Sequence, residues 1–145
     1  MKRWATEKNF TSWLTLAPHN KVSGGRLLSS RTQPSANRAA AILRRAAMSL
    51  TRSATALGAY SRRMAYRHGK AKAITATARK LAVLVYRVLR GDITYHDPGP
   101  AAYEQLHRKR ILGNLCQRAQ QFGFALVNPQ TGEVLGQPAS KSVVS

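Results

Sequence analysis

The chain has 145 residues, a length that one domain ordinarily accounts for and that suffices to bury a core. Lys and Arg total 24 against 5 Asp and Glu, a formal net charge of +19 with a pI near 11.6. So strong an imbalance opposes compaction through like-charge repulsion and calls for a polyanionic partner. DNA or RNA is the leading partner class; an acidic membrane surface comes second, and a merely solvated basic face third.

The distribution is more telling than the total, because no Asp or Glu occurs between Lys8 and Gly91. Cys116 is the only cysteine, which rules out an internal disulfide and fits a cytoplasmic setting. His19, His68, His96 and His107 are scattered without metal-ligand spacing, so no metal is expected in this chain. Tyr95-His96-Asp97 reads as loop polarity in a turn-rich stretch. No apolar run reaches the ~20 residues that a membrane span needs, and no hydrophobic segment follows the basic Met1-Lys2-Arg3 as a secretory signal requires.

In chain order, Thr6 to Leu16 reads as a short helix with Thr6 as its cap. Phe10, Trp13 and Leu14 fall on one face and are expected in the core. Pro18 and Asn20 end it. Residues 18–34 read as a loop around Ser23-Gly24-Gly25, closed by Pro34, with Leu27 and Leu28 tucked against the core. A helix capped by Ser35 follows, with a buried stripe at Ala36, Ala39 or Ala40, Leu43, Ala46 or Ala47, Leu50, Ala54 and Leu57. Gly58 bends or restarts it. Ala59 to His68 continues helical, with Tyr60 and Met64 inward and Gly69 as its stop.

The next helix spans Lys70 to Arg90 and ends at Gly91. Ile74, Thr77, Ala78, Leu81, Leu84 or Val85 and Val88 form its apolar stripe, while Lys72, Arg79, Lys80 and Arg87 face out. Asp92 to Pro100 is a turn-rich linker. The fifth helix, about Ala101 to Phe122, points Tyr103, Leu106, Leu115, Ala119 and Phe122 inward and stops at Gly123. Phe124 to Val127 is a short extended piece, and a loose, flexible tail is expected over 128–145. No internal repeat is visible. The fold class is therefore all-α, about five helices with a Ser-Gly-Gly loop between the first two, in one helical domain over residues 1–127.

Two groups of residues bear on chemistry. Lys21, Arg26 and Arg31 lie close in sequence to Ser23, where they would receive a phosphate. Gly24 and Gly25 let the backbone turn sharply and approach another surface. An ordinary surface turn also reads Ser-Gly-Gly. Arg38, Arg45 and Arg52 are spaced by seven and drift only ~20° per step, which with Arg44 makes a basic ridge opposite the apolar stripe. No acidic residue pairs with that ridge at i±4, as solvated helix faces usually arrange.

The stretch RWATEKNFTSWLTLAPHNKVSGGRLLSSRTQPSANRAAAILRRAA resembles the C-terminal transposase domain of the insertion sequence 110 / 116 / 902 family, whose recombinases use a guide (bridge) RNA. GAYSRRMAYRHGKAKAITATARKLAVLVYRVLR is similar to the continuation of the same domain, and the two together cover about residues 3–122. The resemblance implies a DNA recombinase acting in DNA transposition, with a serine nucleophile that maps onto Ser23 and forms a covalent phosphoserine link. Ser29 and Ser30 rank below Ser23, lying where relatives often have another polar residue. It also implies DNA and guide RNA as partners, homo-oligomers in the intact family and a bacterial cytoplasmic setting, nucleoid-associated when bound.

The family's other half is a RuvC-like domain whose acidic residues hold a divalent metal, and nothing here resembles it. The expectation is an N-terminally truncated copy that is inactive without that half. A non-catalytic basic nucleic-acid-binding remnant is the alternative. A third reading is an inert, barely folded remnant.

Overall fold

The computed structural model describes residues 3–135 and opens on α1 (Glu7–Trp13). Thr6 caps this helix as the sequence predicts, its hydroxyl accepting from the Asn9 amide at 3.3 Å. A β-hairpin follows, β1 (Lys21–Ser23) and β2 (Arg26–Ser29), then α2 (Arg38–Leu50), α3 (Ala56–His68), α4 (Lys70–Arg90) and α5 (Gly99–Gln121). A second small hairpin, β3 (Leu126–Val127) with β4 (Val134–Leu135), closes the described chain. Among the described residues, five helices and four short strands make the protein mostly α, in line with the predicted class.

Helix α4 organises the N-terminal unit, Met1–Tyr103, because α1, α2 and α3 all pack on it. Its contact with α2 is made by alanines: Ala40 and Ala47 of α2 and Ala78 and Ala82 of α4 are fully buried. Small side chains let two backbones approach closely, so burial here comes from proximity and not from bulk. The bulk is aromatic and sits where α1 crosses α4. Phe10 stacks on Tyr86 with ring centroids 5.7 Å apart, and Trp4 meets Phe10 at 5.0 Å. Leu14 and Leu16 complete this cluster. Tyr86, which the apolar periodicity of α4 overlooks, is 2% exposed and donates its hydroxyl to the Trp4 carbonyl at 2.8 Å.

Several expectations are corrected. Trp13 packs against Trp4 at 4.8 Å but remains 44% exposed, at the rim of the aromatic cluster. The cap of α2 is Asn37, whose side chain accepts from the amides of Ala39 and Ala40, while Ser35 lies outside the helix and its hydroxyl accepts from the Asn37 amide. Ala36 is accordingly exposed. Helix α2 ends at Leu50, short of Ala54 and Leu57. Thr51 and Ser53 turn their hydroxyls back onto the Met48 and Leu50 carbonyls, which competes with helix continuation.

The restart comes before Gly58, at Ala56, with Thr55 as cap and the Asp97 carboxylate accepting from the Ala56 amide at 3.1 Å. Gly58 is required for a different reason: a Cβ there would lie 2.7 Å from the Leu50 carbonyl oxygen and closer still to that of Ser53. In α4 the buried face is Ala73, Thr77, Ala78, Ala82 and Tyr86, whereas Val85 and Val88 are exposed.

Glu104–Ser145 forms a second compact unit. In α5 only Cys116 is buried; Leu106, Leu115 and Phe122, expected inward, are exposed. Leu106, Ile111, Leu115 and Cys116 are spread around the helix circumference at 100° per residue, so no single stripe can be covered. Gly123, with φ 77°, ends α5 as predicted. The expected loose tail starts later than Asn128, since Leu126–Val127 pairs antiparallel with Val134–Leu135. Positions 136–145 lie outside the described residues.

Candidate nucleic-acid interface

The predicted loop at 18–34 is a two-stranded antiparallel ribbon. Ser23 pairs with Arg26, Val22 with Leu27 and Lys21 with Ser29, with a bulge between Lys21 and Val22. Gly24 and Gly25 are the two turn residues, with φ of 55° and 74°. Positive φ at both central positions is the geometry of the primed hairpin turns, which glycine adopts without strain. The ribbon stands away from the core: Leu28 is 68% and Leu27 58% exposed, contrary to the tucked placement expected of them. Strands of three and four residues offer too little apolar surface to hold them down.

This ribbon exposes Ser23. As directly paired cross-strand residues, Ser23 and Arg26 share a face with Cβ atoms about 5 Å apart. Lys21 lies two residues along the same strand and so on that side as well, adjusted by the bulge. Arg31 does not join them. The His19 amide donates to the Arg31 carbonyl at 3.0 Å, which puts Arg31 at the base of the ribbon, roughly 13 Å of strand from Ser23. Among the described residues the Ser23 hydroxyl has no hydrogen-bond partner; no carboxylate lies nearby in sequence to take its proton, and the nearest imidazole, His19, is four residues away at the base of the ribbon. Ser29 accepts from the Arg31 amide, and Ser30 is exposed below the ribbon.

The basic ridge is shorter than the sevenfold spacing suggests. Arg38 and Arg45 lie on α2 about 200° around from the buried Ala40 and Ala47, hence on the outer face. Arg44 is half-buried beside them. Arg52 falls in the turn after Leu50 and leaves the line.

A groove that the sequence does not announce lies at the foot of the ribbon. It has a volume of about 1110 Å³ and is walled by Pro18, Asn20 and the 30–32 segment on one side and by α3 and α4 on the other. Arg31, His68, Lys72, Arg79 and Lys80 line it, with no Asp or Glu among its lining residues. Tyr60 and Met64, expected in the core, are half-buried and also face this groove. The Lys80 ammonium sits 4.0 Å over the Tyr60 ring. Partial burial, then the neighbouring Tyr103 phenol, push the Tyr60 phenol above its usual pKa against the pull of Arg79, so it stays neutral. The signal was present in the sequence as Tyr60, Met64 and His68 at four-residue spacing and Lys72 and Arg79 at seven, but no helical period reveals that two helices set these rows facing one gap.

The two aspartates serve the fold. Asp97 caps α3 and accepts from the Tyr95 hydroxyl at 3.2 Å, and Asp92 lies 3.6 Å from Arg90. Among the described residues no group of three or more His, Cys, Asp or Glu side chains could hold a metal ion. No helix among them is long and apolar enough to cross a membrane. Comparison with known proteins brings no family, no curated protein and no solved structure that matches this chain.

Proposed function

We propose that this chain is the DNA-binding helical part of an insertion-sequence transposase of the 110 / 116 / 902 kind and offers Ser23 to a DNA phosphate during strand exchange. The observation behind this reading is a solvent-exposed Ser23, paired across the ribbon with Arg26 and flanked by Lys21, within an acid-free stretch of chain. The Ser23 Oγ–P bond forms as one phosphodiester P–O bond breaks. The serine proton passes to a base, and the departing deoxyribose oxygen takes up a proton. Serine is a weak nucleophile without such a base, and another domain or subunit supplies it in this reading. Arg26 and Lys21 stabilise the charge that grows on the phosphate oxygens. Arg38, Arg44 and Arg45 follow the backbone and position it without reading its sequence. Arg52 extends those contacts from the next turn. A guide RNA, homo-oligomers and a cytoplasmic, nucleoid-associated setting belong to the same proposal.

A second reading has its own support. Gly24 and Gly25 satisfy a two-residue hairpin turn, which needs no catalysis to explain it. On that reading the chain is a non-catalytic basic module that binds nucleic acid. A DNA suicide substrate incubated with the complete recombinase separates the two. Recombination with a trapped serine–DNA adduct lost in Ser23→Ala supports the first reading; recombination retained in Ser23→Ala overturns it. Both readings require binding that weakens steeply with salt, by counterion release.

A further inference from the structure

The proposed catalytic ribbon makes no use of the groove at its foot. We propose that this groove holds a single-stranded segment of nucleic acid. The inference rests on the nucleic-acid reading above and adds which form of strand is held, and where.

The rows that form the groove run along two adjacent helices. Tyr60, Met64 and His68 recur every fourth residue on α3, and Lys72, Thr75 or Ala76, Arg79 and Val83 recur on α4. The α4 row from Ala71 to Val83 extends about 18 Å at the rise of an α-helix. Lys72 and Arg79 lie two turns apart on it, about 10 Å along the axis, with Arg31 on the facing wall. Cations thus occur along the groove on both walls, and no carboxylate among the lining residues offsets them.

Between these cations the lining mixes apolar side chains (Leu16, Pro18, Met64, Ala76 and Val83) with small neutral polar ones such as Thr32 and Thr75. That combination selects the form of the ligand. A duplex turns its phosphates outward and keeps its base faces stacked, so it offers nothing to an apolar floor. A single strand carries phosphates for the rim and unstacked base faces for the apolar part of the floor, and a basic groove that tracks the backbone is common to non-specific single-strand binders. At about 1110 Å³ the space slightly exceeds that of typical small-molecule pockets, as a segment of polymer requires. The Lys80 ammonium already covers the Tyr60 ring, so that ring anchors a cation and leaves base contact to Met64 and Val83.

The test uses the full chain, fluorescein-labelled oligothymidylate and a duplex of equal length, with anisotropy read across salt. The groove variant is Lys72→Gln with Arg79→Gln, both on a helix whose core face they do not touch. The charge-matched control is Arg108→Gln with Lys109→Gln on α5. Circular dichroism melts confirm that each variant folds as the parent does. The groove pair is expected to weaken oligothymidylate binding by about tenfold, lower its logarithmic salt slope by about 1.4, and leave duplex binding within about twofold.

The control pair is expected to leave the preference between the two probes unchanged. Equal losses on both probes, or none on oligothymidylate, overturn the groove assignment while leaving nucleic-acid binding intact. Competition by inorganic phosphate or a mononucleotide as effective as that by the oligomer overturns it in favour of a small-anion site. A parent chain that binds neither probe in a salt-dependent way removes the underlying nucleic-acid reading itself.

Discussion

Replacing Gly58 by alanine sets two effects of known size against each other. Alanine in a helix interior is better than glycine by about 1 kcal/mol, so propensity alone predicts stabilisation. The site opposes it. The new Cβ would stand 2.7 Å from the Leu50 carbonyl oxygen and 2.8 Å from the Ser53 hydroxyl, and nearer still to the Ser53 carbonyl oxygen. Two of these are backbone atoms at the end of α2. The third is held by its bonds to the Leu50 carbonyl at 2.9 Å and the Thr55 hydroxyl at 2.7 Å.

Relief therefore means moving α2 away from α3 at their corner, an overpacking cost of about 1–3 kcal/mol. Because backbone atoms must move, the upper part of that range applies, about 2–3 kcal/mol; less the propensity gain this is a net loss of about 1–2 kcal/mol, and Gly58→Ala is expected to lower the melting temperature by roughly 2–8 °C in a chain of this size. Gly113 in α5 is the internal comparison, since a Cβ there meets nothing within 4 Å. Gly113→Ala should therefore show the propensity gain alone, about 1 kcal/mol. Thermal melts followed by circular dichroism decide it; a rise at Gly58 equal to that at Gly113 would refute the close approach of α2 and α3.

Three further outcomes follow from the packing around α4. Tyr86→Phe keeps the ring but strips the Trp4 carbonyl and Arg90 of a shared hydroxyl partner. It should cost about 1–2 kcal/mol in urea denaturation, and a neutral result would mean that water replaces the hydroxyl. Thr77 is fully buried with its hydroxyl unpartnered, so Thr77→Val, nearly the same shape, is expected to stabilise by about 1 kcal/mol; destabilisation would reveal a hidden partner. Glu7 takes a hydrogen bond from Arg87 at 2.7 Å, which, with the attraction of that charge, holds its carboxyl below its usual 4.5 despite partial desolvation. A depressed folded pKa contributes stability above the unfolded value that is lost as pH falls through the folded one. The stability gap between the parent and Glu7→Gln should therefore shrink below about pH 4.5; a gap that is constant with pH would show that the pair adds nothing electrostatic.

Much of the helical framework was legible because its signals are local. Thr6 caps α1 through a bond to an amide three residues on, and Gly69 and Gly91 bound α4 through the positive φ that glycine tolerates. The ribbon was legible in principle, since Gly-Gly between Val-Ser and Arg-Leu satisfies the two-residue hairpin signal. By periodicity it reads only as a loop, because strands this short carry no alternation to count. The end of α2 is not legible in the sequence, because hydroxyl side chains at Thr51 and Ser53 compete with the helix in a way that alanine-rich propensity conceals.

What the sequence determined by itself was charge and local backbone preference. The acid-free run from Lys8 to Gly91 guarantees a positive surface whatever fold those residues take, because charge adds without regard to geometry. Structure beyond the local sequence decided which cations stand together in space. It placed Arg26 beside Ser23 by cross-strand pairing, sent Arg31 to the foot of the ribbon, and set Arg31 opposite Lys72 and Arg79 across a shared gap. Arg31 is more than 40 residues from Lys72 and Arg79 in the chain, and only the tertiary fold that sets the 30–32 segment against α3 and α4 brings them to one groove.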